Sequence, residues 1–112
     1  MEARLKSGLW VQALIRRCDL AAIGVAVVAR GDADAGAVLL KLAPRDAGCA
    51  VLSQTRRPDG SSVWLRATGA VPVSEEDADR YIERQRQRDP DLWVVEIESG
   101  ATETFLDGAV LA

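Results

Sequence analysis

Residues 36–68, GAVLLKLAPRDAGCAVLSQTRRPDGSSVWLRAT, alternate aliphatic runs with turn-forming residues. Gly36–Ala43 and Cys49–Thr55 are separated by Pro44, Asp46 and Gly48, residues that favour a turn. Cys49–Thr55 and Ser62–Thr68 flank Arg56-Arg-Pro-Asp-Gly60, with Pro and Gly placed where a β-turn uses them. Just upstream, Val25–Arg30 meets Gly36–Ala43 across the short loop Gly31-Asp-Ala-Asp-Ala35, the pattern of another hairpin. Together these runs predict a four-stranded antiparallel meander.

Helices are expected before and after it in the chain. Leu9–Ala22 contains no proline, and Val11, Leu14, Ile15, Cys18 and Ala22 share one face, with Ser7 as the expected N-cap and Gly24 as the left-handed stop. Downstream, Ser74-Glu-Glu-Asp77 is a strong helix start, with a capping serine and acids at the positive end of the dipole. Arg84, Arg86 and Arg88 crowd the other end before Asp89-Pro90-Asp91. The stripe on this second helix is narrow: Ala78, Tyr81 and Ile82, with Gln85 beside it. Leu92–Glu98 reads as a strand, Thr102–Leu106 as a weaker last strand, and Asp107–Ala112 as a frayed tail. The expected fold class is α+β, an antiparallel β-meander of four to six strands with two helices packed on the sheet. Helices on one face would bury the apolar residues and leave the other free to bind. A single domain spans 1–112, with an ordered core over about 4–106.

Composition narrows the chemistry. A 48% hydrophobic, 28% charged chain is ordinary for a globular protein, and a net charge of −3 argues against nucleic acid as a partner. The start, MEARLKSG, has no apolar stretch of the secretory kind, and no run is long enough to span a membrane. A cytoplasmic protein with no membrane association is expected. The chain has no histidine, which removes the commonest general base and metal ligand. Cys18 and Cys49 match no zinc spacing and are expected buried, reduced and inert. No phosphate loop, dinucleotide fingerprint or G-x-S-x-G elbow occurs, and Asp32-Ala-Asp34 fails as a calcium loop because Ala37 and Ala43 stand where glycine and glutamate are required. No cofactor, metal site or catalytic set is expected.

One constellation remains. Trp64, Arg66 and Thr68 alternate along one strand and project from one face, with Gln54 and Arg56 on the neighbouring strand. Tryptophan and arginine are enriched in binding hot spots, so this face is a candidate surface for a protein partner or a small anionic ligand. A simpler alternative buries Trp64 under a helix and pairs Arg66 with Asp91 or Glu96. Lys41 interrupts an apolar strand, so its amine must find an acid, an edge or a ligand; Glu96 or Glu98 across the sheet is the plain partner.

The segments RLKSGLWVQALIRR, GDADAGAVLLKL, SQTRRPDG…WLRATG and DPDLWVVEIE occur in that order over roughly Arg4–Gly108. The chain thereby resembles a family of short alphaproteobacterial proteins, domain-of-unknown-function family 1491. The resemblance implies a small free-standing protein and offers no catalytic residues. The expected function is a small non-catalytic binding or adaptor domain of the bacterial cytosol. The competing class is a small enzyme using carboxylate and arginine chemistry on an anionic small molecule, with Asp32, Asp34 or Glu96 as base and Arg66 holding the anion. A free sheet edge at the last strand also allows a homodimer.

Overall fold

Val11, Leu14 and Cys18 recur at helical spacing, and Ser7–Leu20 forms α1 with all three buried. The computed structural model describes residues 6–56 and 62–111, and at Thr55, Arg56, Ser62 and Ala109 the backbone alone. Ser7 does not cap the helix with its hydroxyl; it is the first helical residue, and its Oγ donates to the Gly36 carbonyl at 2.6 Å. Two N–H groups of the first turn, Ser7 and Gly8, instead donate to the carbonyls of Asp34 and Ala33. At the far end the left-handed residue is Ala22, with φ 57°, rather than Gly24. The Ile23 N–H closes back onto the Cys18 carbonyl and the Ala22 N–H onto Asp19, a Schellman closure without its usual glycine.

The strands are Val25–Ala29 (β1), Val38–Leu42 (β2), Ala50–Arg56 (β3), Ser62–Arg66 (β4), Trp93–Ile97 (β5) and Ala109–Leu111 (β6), with α2 at Glu75–Arg88 and a 3-10 turn at Thr102–Thr104. They form one α+β sheet in the order β1-β5-β2-β3-β4-β6. The meander survives only in β2-β3-β4, whose two junctions are antiparallel in register Leu40↔Leu52 and Gln54↔Trp64. The expected hairpin of Val25–Arg30 with Gly36–Ala43 does not form. β5 inserts between them, antiparallel to β1 and parallel to β2, so the sheet is mixed. Burial explains the insertion: Trp93, Val94, Val95 and Ile97 are all buried, which a strand achieves only in the middle of a sheet covered on both faces. β1 carries three exposed residues and takes the edge.

The two helices cover opposite faces of the sheet rather than one. Under α1 lie Leu40, Leu42, Leu52, Trp64, Val95 and Ile97. Under α2 lie Leu39, Val51, Leu92 and Val94, against Ala78 and Ile82. Thr102–Leu106 is not a strand; its turn drives Phe105 and Leu106 into the α1-side core. The segment expected to fray supplies β6, parallel to β4 with Trp64↔Val110.

α2 follows its sequence signals closely. The Ser74 hydroxyl accepts the Asp77 N–H at 3.1 Å, and three acids occupy the first turn. Only Ala78 and Ile82 are buried, as the narrow stripe predicted.

Candidate functional site

Trp64 is 1% exposed and lies beneath α1, its ring centroid 5.5 Å from that of Trp10. It cannot offer its ring to a partner. Gln54, its cross-strand neighbour, is exposed, and Arg66 is half-buried. The Arg56 side chain lies outside the described residues. The four whose side chains are described therefore form no common exposed surface: Trp64 belongs to the core, and Lys41 stands on the opposite face among acids.

Lys41 is the one buried charged residue among those described, at 4% exposure. Strand alternation sends its side chain to the α2 face between Leu40 and Leu42, which face α1. There its Nζ meets Asp79 at 2.7 Å and Glu75 at 2.8 Å, both from α2, and Glu96 of β5 at 3.1 Å. Glu96 is also its register partner in the parallel ladder. Burial by itself would lower the lysine pKa, but the hydrogen bonds to Asp79, Glu75 and Glu96 overcome it and hold the ammonium well above the ordinary value. The sequence-level pairing with Glu96 is correct. Glu75 and Asp79 were missed because nothing local says which face α2 covers, although their spacing of four puts both on one side of a helix.

Beside this cluster an open hollow of about 530 Å³ runs past Arg45, Cys49, Glu75, Glu96 and Glu98. Cys49 and Cys18 are both buried and unbridged. Burial pushes each thiol above its usual pKa, so neither is a poised thiolate. The carboxylates considered as a base are otherwise engaged. Glu96 holds Lys41, the Asp32 carboxylate accepts the N–H groups of Asp34 and Ala35, and Asp34 pairs with Lys6 at 3.5 Å. Among the described residues none of them forms an ion pair with Arg66.

The acidic loop has a structural role that sequence reasoning overlooked. Besides receiving the first turn of α1, it accepts the Trp93 indole N–H at the Asp32 carbonyl, 2.7 Å away. Gly31 and Gly36 press against the Asp91 carbonyl, where a Cβ at either would collide. The loop thus ties α1, the β1–β2 connection and β5 together.

The edges of the sheet offer a different kind of site. β6 is three residues long. β1 is five residues, Val-Ala-Val-Val-Ala, without charge or proline, and Val27 and Val28 are 41% and 55% exposed. Glu98 donates its N–H to the Gly24 carbonyl, so ladder alternation turns the N–H and C=O of Val25 and Val27 away from β5. Among the described residues no strand pairs with that side.

Fold and surface together define a small α+β domain whose mixed sheet is sealed by one helix on each face, with an open edge strand. The chain belongs to the family described as Protein of unknown function (DUF1491), whose model matches residues 5–107. It is similar to a crystal structure of a DUF1491 family protein from Caulobacter crescentus CB15, with 39% identity, TM-score 0.84, and 96% of this chain and 100% of that one covered. An NMR structure of a DUF1491 family protein from the same organism matches at 38% identity and TM-score 0.84, over 99% of this chain and 100% of that one. A solution structure of a protein from A. tumefaciens matches at 30% identity and TM-score 0.82, covering 98% of each chain. No curated protein matches significantly. The resemblance in the four sequence segments is thereby borne out, and the family is bacterial. Among the described residues no helix is long and apolar enough to cross a membrane.

Proposed function

We propose that this protein is a non-catalytic binding domain of the bacterial cytosol that captures an extended segment of a protein partner along β1. The observation that carries the reading is the uncharged outer edge of β1, with Val27 and Val28 exposed beside outward-facing backbone groups. Unpaired edges template strand addition, and proteins that do not use them blunt them with charge, proline or shortness. β6 is blunted by shortness; β1 has only the irregularity between Val27 and Ala29.

The test is capture from a bacterial lysate by the wild type and by a Val27→Lys/Val28→Lys variant, after melting curves confirm that both are folded. A partner held by the wild type and lost by the variant supports strand capture. Equal retention, or no partner, overturns it. Light scattering on the same samples distinguishes a second copy as the partner: a doubled mass that the variant abolishes would assign the added strand to a homodimer.

A further inference from the structure

We infer that the groove beneath the C-terminal half of α2 is a binding site for a small organic monocarboxylate with an apolar body. The anchoring of α2 is lopsided. Its N-terminal side is held by paired backbone hydrogen bonds between Cys49 and Val73, by the Ser74 cap, by the Lys41 ion pairs and by fully buried Ala78. Past Ile82 no residue of the helix is buried.

Beneath that half the β2–β3 ladder ends at Leu39↔Ser53, and a groove of about 270 Å³ opens. Leu39 and Leu92 of the α2-side core line it with the half-buried Tyr81 ring, an apolar surface suited to a hydrocarbon or ring, while Val38 turns its side chain to the α1 side. Tyr81, Gln85 and Arg88 line its α2 side. Among the described residues no hydrogen bond or ion pair occupies their side chains, whereas Arg80 and Arg86 of the same helix both pair with acids. Asp89, the one carboxylate on the wall, already accepts the Asp91 N–H at 3.1 Å.

A concave apolar floor with a few converging polar groups is the usual anatomy of a small-molecule site. A hydroxyl, a carboxamide and a guanidinium on its wall can all donate, and a carboxylate accepts from all three. The carbonyl end of α2 and the Asp89 carboxylate both oppose an anion, and Arg84 and Arg88, which pair with no acid among the described residues, offset them. The volume limits the ligand to a small one, and no β1 residue lines the groove, so this site is separate from the edge strand.

The experiment is a titration of isotope-labelled full chain with benzoate, followed by NMR, with benzamide as the neutral isostere. Saturable shifts are expected at the Gln85 side-chain amide and at Leu39 and Leu92. Affinity should fall roughly tenfold for benzamide and for benzoate on Arg88→Gln, the loss of one charge-assisted contact. Arg88 is exposed at the helix end, so the variant keeps the fold. Absence of saturable shifts, shifts mapping elsewhere, or equal binding of benzamide would overturn the proposal. So would undiminished binding of benzoate to Arg88→Gln.

Discussion

On the α1 side Trp64, Leu40, Leu52 and Ile97 of the sheet, with Phe105 from the 3-10 turn, pack against Leu14 and Val11, all apolar. On the α2 side two helix residues, Ala78 and Ile82, meet Leu39, Val51 and Val94, and two ion pairs, from Glu75 and Asp79 to Lys41, fasten the helix beside them. The first seal is large and non-directional. The second trades contact area for directed charge, and it places the helix by its first turn and a half while leaving the far end free. A helix too polar to bury a wide stripe can still be positioned uniquely when a buried cation selects its acids. Such a pairing contributes specificity more than stability, since desolvation of the charges consumes much of the attraction.

Three sets of measurements test this contrast. The largest effect is expected for Trp64→Ala, which empties the α1-side core beside Trp10 and should cost about 3–5 kcal/mol in urea denaturation. A loss under about 1 kcal/mol would show that the apolar seal is not the main one.

The α2 face should respond asymmetrically. Replacing the three acids together, Glu75→Gln/Asp79→Asn/Glu96→Gln, strands a buried ammonium and should cost about 3 kcal/mol. Lys41→Met leaves acids that water can reach, and should stay within about 1.5 kcal/mol of the wild type. Equal costs for the two variants would contradict a lock built around one desolvated cation. The pH dependence follows the same logic. The folded protein holds the Lys41 proton more tightly than the unfolded chain does. Its stabilisation is therefore complete below the ordinary lysine value of 10.5 and is lost as pH rises through the higher folded value. Alkaline denaturation of the wild type against Lys41→Met should show this loss in the wild type alone.

The smallest effect lies at the end of α1. Ala22→Gly relieves the left-handed backbone and should raise stability by about 0.5–1 kcal/mol, read from the urea midpoint. A decrease would mean that the Ala22 methyl contributes packing that outweighs its strained φ.

Local features were legible to different depths. α2 was readable at both ends because its signals act within a turn: the Ser74 hydroxyl reaches the Asp77 N–H, and Asp89 follows the last arginine. The start of α1 was not, because its first-turn N–H groups are satisfied by a loop some 25 residues away in sequence, Ala33 and Asp34. The reading of Trp64 turned on the same kind of distance. Alternation correctly put Trp64 and Arg66 on one face, yet only the position of α1 decides whether that face is wet. β6 was missed because Ala109-Val-Leu111 is too short to announce a strand without β4 beside it.

Where the helices and most strands lie, that one domain forms, and that the Lys41 amine needs an acid, an edge or a ligand can all be read from local sequence. Those properties follow from periodicity, capping and turn chemistry, all of which act over a few residues. The tertiary structure alone decided that β5 enters between β1 and β2, that the helices take opposite faces, and which edge stays open. Strand order depends on which apolar segments exclude the most water together. That is a property of the whole chain, and no local pattern carries it.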